Sequence, residues 1–197
     1  MPGRPTSWQT FLRAHWGEIA GADFFTTEVW TWRGLVTFYT VFIIELASRR
    51  VQILGSTPHP DAAFMRQVAR TLTVADGRVC HVLICDRDAK WSAPVRAHLQ
   101  AAGLRVVQTP YHAPNANAYA ERFVRSIREE CLDRLIPLGE RRFRRAVTEF
   151  VAHYHCERNH QGLSNELIEG PPPLGCIGRV RRSQRLGGLL NYYARAA

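Results

Sequence analysis

The feature that most constrains this chain is residues 35–46, LVTFYTVFIIEL, which are nearly continuous in apolar side chains. A dozen residues rich in β-branched and aromatic types read as a central strand buried on both faces. A strand of that kind needs a partner on each edge. Residues 21–30, GADFFTTEVW, supply one across the turn Trp32-Arg33-Gly34, with Asp23 early in the strand. Residues 50–54 supply a shorter one across Ala47-Ser48. Three strands joined by short turns make an antiparallel meander.

The pattern then changes period. Pro58-His59-Pro60 breaks the chain, and Asp61 caps a helix over 61–72 with Phe64, Met65, Val68, Ala69 and Leu72 facing inward. Residues 79–85 form a fourth strand that ends at Asp86-Arg87-Asp88. Ser92 and Pro94 open a helix that stops at Gly103, and residues 104–109 form a fifth strand. The next stretch, PNANAYAERFVRSIREECLDRL over 114–135, is a loop followed by a helix with Asn117 at its N-cap. Its buried stripe is Ala120, Phe123, Val124, Ile127, Cys131 and Leu135. A last helix over 140–154 turns Phe143, Ala146, Val147, Phe150, Val151 and Tyr154 inward.

These elements predict an α/β fold: a mixed five-stranded sheet, three antiparallel strands then two strand–helix crossovers, flanked by helices. The crossovers are expected to be right-handed. The expected organisation is a lead-in helix within 1–20, a core over 21–168 and a basic, Pro/Gly-rich, loosely structured tail over 169–197.

Basic residues outnumber acidic ones, 26 to 17, for a net charge of +9. An anionic partner such as nucleic acid follows. The five cysteines, Cys80, Cys85, Cys131, Cys156 and Cys176, are odd in number and scattered without a CxxC pair, as in a reduced, cytoplasmic protein. No apolar run reaches the ~18 residues of a membrane span, and the first residues lack a signal peptide's apolar region.

Three acids stand out. Asp23 lies in the first strand and Asp86 ends the fourth, and these strands can be neighbours in such a sheet. A carboxylate in or at the end of an apolar strand is costly unless paired, hydrogen-bonded or bound to metal. Glu121, one turn into the helix after Asn117, adds a third oxygen donor from a third element. Hard oxygen ligands suit Mg²⁺ or Mn²⁺ rather than zinc. Two such ions ~4 Å apart would bridge a phosphodiester. Arg125 and Arg128, on the same helix side as Glu121, would hold neighbouring phosphates.

Asp23 in ADFF, Asp86 in LICDRD and Glu121 in PNANAYAERFVRSIREECLDRL resemble the Asp-Asp-Glu integrases and transposases of the insertion-sequence and retroviral-integrase type. Asp86 and Glu121 are 35 positions apart, the usual interval of that family. The segment YHCERNHQGLSN from Tyr154 resembles the family's usual end to the catalytic core, and the likeness covers roughly 21–170. It implies a ribonuclease H-like fold and a divalent-metal site formed by Asp23, Asp86 and Glu121. It also implies DNA cleavage and strand transfer by a polynucleotidyl transferase of a mobile element. Water attacks a DNA end, the 3′-hydroxyl so exposed attacks target DNA, and no covalent enzyme intermediate forms. The expected partners are element ends and target DNA, a second copy of the chain, and a separate end-recognition protein. The rival readings are a metal-dependent nuclease of the same fold without strand transfer, and an inactive DNA-binding remnant.

Several residues have two readings. Asp88, where the family has a glycine, caps the next helix, the reading preferred here, or competes as a ligand. His153, His155, Cys156 and His160 fit no ordinary zinc spacing and read as polar residues at a helix end near DNA. Asn159, His160 and Gln161 are placed at the active-site rim by family position. Tyr111 and His112 either touch a DNA strand or edge the core. Arg141, Arg142, Arg144 and Arg145 make a solvated face or a phosphate track, as does the tail, which from Gly170 has five arginines and no acid. The expected DNA contacts are therefore Asn117, Arg125, Arg128, Arg141, Arg145, Asn159 and His160.

Overall fold

The structure, a computed structural model, describes residues 8–74, 80–109, 117–170 and 179–195. Tyr111, His112, Cys176, the prolines at 171–173, the 114–116 loop and the start of the fourth strand at Val79 lie outside these residues. The described chain forms helix α1 (Trp8–Ala14), strands β1 (Ile19–Thr31), β2 (Gly34–Glu45) and β3 (Val51–Thr57), and helix α2 (Ala62–Val74). It continues through β4 (Val82–Cys85), α3 (Ala93–Ala101), β5 (Arg105–Gln108), α4 (Ala118–Glu130) and α5 (Glu140–Cys156), and ends in β6 (Val180–Arg185) and β7 (Leu190–Arg195).

The main sheet has the order β3-β2-β1-β4-β5. β1 and β2 are joined by the turn at Trp32-Arg33, β3 runs antiparallel to β2, and β4 and β5 run parallel to β1 and to each other. This is the mixed five-stranded arrangement, flanked by helices, expected from the sequence. The apolar run became β2, whose Phe38, Val41, Phe42, Ile43 and Ile44 are all buried. Its buried Thr40 hydroxyl pairs with Ser56 on β3 at 2.8 Å, which satisfies both groups inside the sheet.

Alternation along β1 sorts its side chains between two faces. Ala20 and Ala22 join Val41, Ile43, Leu83 and Cys85 in a core closed by Met65, Val68, Ala69 and Leu72 of α2 and by Val95 and Leu99 of α3. Asp61 caps α2 as expected, accepting the Phe64 amide at 2.8 Å. Ile19 faces the other way, where Ile19, Leu46, Val82 and Ile84 pack with Trp8, Phe11 and Leu12 of α1 and with Tyr119 of α4.

Two compact units divide the chain. One comprises the chain up to Thr27 with Phe38–Phe123, and the other Glu28–Thr37 with the chain from Val124 on. In the second unit, α4 stops at Glu130, and a one-turn 3-10 helix, Leu132–Arg134, follows. Leu132 is buried there and Leu135 is half-buried, which shortens the expected stripe by one turn. Helix α5 buries Phe143, Ala146, Val147, Phe150 and Tyr154 as expected.

Three expectations need correction. The stretch beyond 179 is not loose: β6 and β7 pair over six residues. Arg185 fastens them to α5 through Glu157 (2.9 and 3.0 Å) and Glu149 (2.9 Å). Asp88 does not cap α3, whose N-cap position is Ser92. Its carboxylate is turned back on Lys90, accepting the backbone amide at 2.8 Å and pairing with the ammonium. His160 is not at a surface: it is 6 % exposed, its Nε2 lies 2.7 Å from the Tyr154 carbonyl oxygen, and its ring packs on Tyr154.

Candidate active site

All three acids belong to the first unit, each on a separate element, and two of them are neighbours in the sheet. Ala22 and Cys85 are register partners on the parallel strands β1 and β4. Asp23 and Asp86 are the next residues on each, so they sit side by side where β4 ends, on strands spaced about 4.8 Å apart. Asp23 has the parity of Ile19, and therefore points to the face on which Tyr119 and α4 pack. On that face Phe123 of α4 lies against Phe42 of β2, ring centres 4.8 Å apart, and Glu121 stands two residues before it.

The electrostatics report the same neighbourhood. Burial raises the Asp23 carboxyl from 3.8 to about 6, against the pull of a hydrogen bond from the Phe24 amide. The negative charges of Asp86, Glu121 and Asp88 then push it further up. Asp86 is also raised, first by burial and then by Asp88, against the opposing effects of the Asp88 amide and Lys90. Asp88 behaves differently: burial would raise it, but hydrogen bonds and charge from Lys90 hold it below its ordinary value. Asp88 is thus paired with Lys90, whereas Asp23 is disfavoured as an anion by burial and by its carboxylate neighbours.

Repelling, partly buried oxygen donors are of the right chemistry for a hard divalent cation. Among the described residues, however, no group of three or more His, Cys, Asp or Glu side chains is arranged to hold a metal ion. Glu121 is exposed, and Asp23 and Asp86 are half-buried and occupied by backbone amides. The donors fit such an ion in kind, while the side chains stand apart from one another as a coordination shell.

Asn117 is held by an interaction that sequence reasoning missed. Its carbonyl accepts the Glu121 amide at 3.1 Å, which makes it the helix start, and its side-chain Nδ2 donates to the Ala22 carbonyl at 3.2 Å. Room for it comes from Gly21, where an added Cβ would lie 2.4 Å from Asn117 Oδ1. The available signal was a glycine inside an otherwise β-branched and aromatic strand.

The other expected residues fall in the second unit. Arg125 and Arg128 are exposed on α4, four and seven residues after Glu121. Arg141 and Arg145 are exposed on α5, with Arg145 4.0 Å from Glu149. Asn159 is exposed just beyond α5. His153 pairs with Glu157 at 2.9 Å and His155 is buried, so with His160 these histidines belong to the packing of the α5 end.

No curated protein matches the sequence. Among solved structures, the catalytic core domain of BIV integrase overlaps 58 % of this chain and 68 % of its own length, at 13 % identity and a TM-score of 0.42. Residues 102–166, the stretch that carries Asn117, Glu121 and Asn159, match the integrase core domain family.

Proposed function

We propose that this chain is the catalytic domain of a DNA transposase or integrase, cleaving a DNA end and joining its 3′-hydroxyl to target DNA in a divalent-metal-dependent reaction. The carrying observation is the pairing of β1 with β4, which puts Asp23 and Asp86 side by side, with Glu121 among the charges that raise the Asp23 carboxyl. Asp23, Asp86 and Glu121 would hold Mg²⁺ or Mn²⁺, two ions in all. When bound, such ions withdraw charge from phosphodiester oxygens and ease deprotonation of an attacking hydroxyl. The remaining work falls to the chain. The sheet holds Asp23 within β1 and Asp86 just past the end of β4, and α4 brings the third. Arg125, Arg128, Arg141, Arg145 and Asn159 engage the DNA backbone, where guanidinium geometry suits phosphate. His160, being buried, is left out of that set. Lys90 draws off Asp88, which leaves three acids for the ions rather than four.

The same reading assigns the chain to a mobile element in the bacterial cytoplasm, acting as a homo-oligomer on paired DNA ends with a separate end-recognition protein. No described helix is long and apolar enough to cross a membrane.

The test is a strand-transfer assay with a labelled 3′-hydroxyl DNA end in Mn²⁺ or Mg²⁺. Joined product is the expected result, and Glu121→Gln should abolish it while DNA affinity is nearly unchanged. Cleavage without joining would make the protein a plain nuclease. Binding without cleavage would reduce it to a DNA-binding module, and activity retained in Glu121→Gln would remove that residue from the site.

A further inference from the structure

Resting on the acids assigned above, we propose that Asn117 is a positioning residue: seated in the gap that Gly21 leaves on β1, it sets where α4 begins and hence where Glu121 stands relative to Asp23. Gly21 is the reason to look here. Glycine in a strand interior weakens it, through lost entropy and the lack of a side chain to pack. Gly21 does not repay that cost with an unusual backbone, since it is absent from the glycines with positive φ. What it provides is space. A Cβ at this position would meet Asn117 Oδ1 at 2.4 Å and Cγ at 3.5 Å, with Ile44 Cγ2 at 3.7 Å behind. Any other residue at 21 would force the Asn117 side chain to shift from this position.

The asparagine is equally specific. A helix N-cap works through its side-chain oxygen, and aspartate would serve as well. The tie to β1 uses the amide nitrogen instead, donating to Ala22, the last β1 residue in register with β4. From that point the two carboxylates advance in step. Asp23 is two residues along the strand from Gly21, and Glu121 is four residues along the helix from Asn117, each a rise of about 6–7 Å. Asn117 and Ala22 are 95 positions apart in the chain, so the pair fastens two otherwise unrelated segments at the root of the proposed site. Its role differs from the DNA contact expected for Asn117, because its side-chain nitrogen donates to the backbone of β1.

Asn117→Asp separates the two, since it keeps the capping oxygen and the size but loses the donor. Alongside it, Asn117→Ala, Gly21→Ala and the double variant Gly21→Ala/Asn117→Ala are compared with the unaltered chain. The measurements are Mn²⁺-dependent DNA cleavage, thermal unfolding with and without Mn²⁺, and hydrogen exchange over the first turn of α4. For Asn117→Asp, kcat is expected to fall about 10–100-fold with KM for DNA unchanged. Its Mn²⁺-induced rise in Tm should be lost, and the Glu121 and Arg122 amides should exchange faster. Gly21→Ala should do the same, and the double variant should be no worse than Gly21→Ala alone. Additive losses, a change confined to KM, or unaltered kcat in Asn117→Asp would each overturn the proposal. If the unaltered chain shows neither cleavage nor Mn²⁺ stabilisation, the assigned site has failed. Exchange then decides the lock alone, and an α4 start equally protected in Asn117→Asp overturns it.

Discussion

Phe123 is fully buried against Phe42, two residues beyond Glu121 on the same helix. Truncation to alanine removes most of a packed ring and leaves a cavity, so Phe123→Ala should cost about 3–5 kcal/mol in urea unfolding, with Phe123→Leu recovering much of it. Asp61 is a cheaper contact: losing one capped amide in Asp61→Ala should cost about 1 kcal/mol. The buried thiols give a chemical readout of the same packing. Burial pushes Cys85 and Cys131 up to about 12 and Cys80 to about 11. Thiolate is the reactive form, so alkylation at pH 8 should leave these three unmodified until the protein is denatured. Rapid labelling of the native protein would contradict their placement in the core.

A lone two-stranded hairpin is marginal in water, and β6–β7 is held by what it touches. Leu190 is 4 % exposed, and its register partner Arg185 carries the ion pairs to Glu149 of α5 and to Glu157 at its C-cap. Burial alone would raise the Glu157 carboxyl, but hydrogen bonds from Arg185 and His153 outweigh it and hold it below the ordinary value. A carboxylate depressed in the folded state stabilises above its unfolded pKa, and that contribution is lost as pH falls through the folded one. Acidification below the usual carboxylate range should therefore loosen the hairpin. Arg185→Ala should produce the same loosening at neutral pH. Hydrogen exchange at residues 190–193 checks both, with β2 amides as the unaffected control. A hairpin equally protected in Arg185→Ala would show that apolar contact alone holds it.

At the scale of the whole molecule the charge of +9 dominates. Binding to DNA should weaken steeply with salt, because each phosphate neutralised by a guanidinium releases a condensed counterion. If Arg141 and Arg145 contact phosphates, Arg141→Ala and Arg145→Ala should each lower the slope of log K against log salt by about 1, uniformly across DNA sequences. Unchanged slopes would return that helix face to ordinary solvation. The match to the integrase core domain family covers 102–166 and so includes Glu121 but neither aspartate. The two aspartates are beside each other through the pairing of β1 with β4, which lies outside that stretch.

Strand and helix periods are local, and the chain alone was enough to lay them out. The apolar run over 35–46 had to be an interior strand, and the switch to helical spacing after Pro60 had to introduce crossovers. Asp23, Asp86 and Glu121 could be singled out because ionisable groups at the margins of apolar segments need a reason to be there. Spacing cannot report which distant groups meet. Asn117 looked like a cap and a DNA contact until the fold laid it over Gly21. His160 looked like a surface residue until Tyr154 covered it, and Asp88 like a helix cap until Lys90 took it. The basic stretch past 179 resembled a solvated tail because its partners, Glu149 and Glu157, lie on another element. The Asp88–Lys90 and His160–Tyr154 contacts are local, but residue type and spacing do not say which neighbour a polar side chain takes. The Asn117 and Arg185 contacts join segments far apart along the chain, and only the closed fold creates the proximity that lets such a bond win over water.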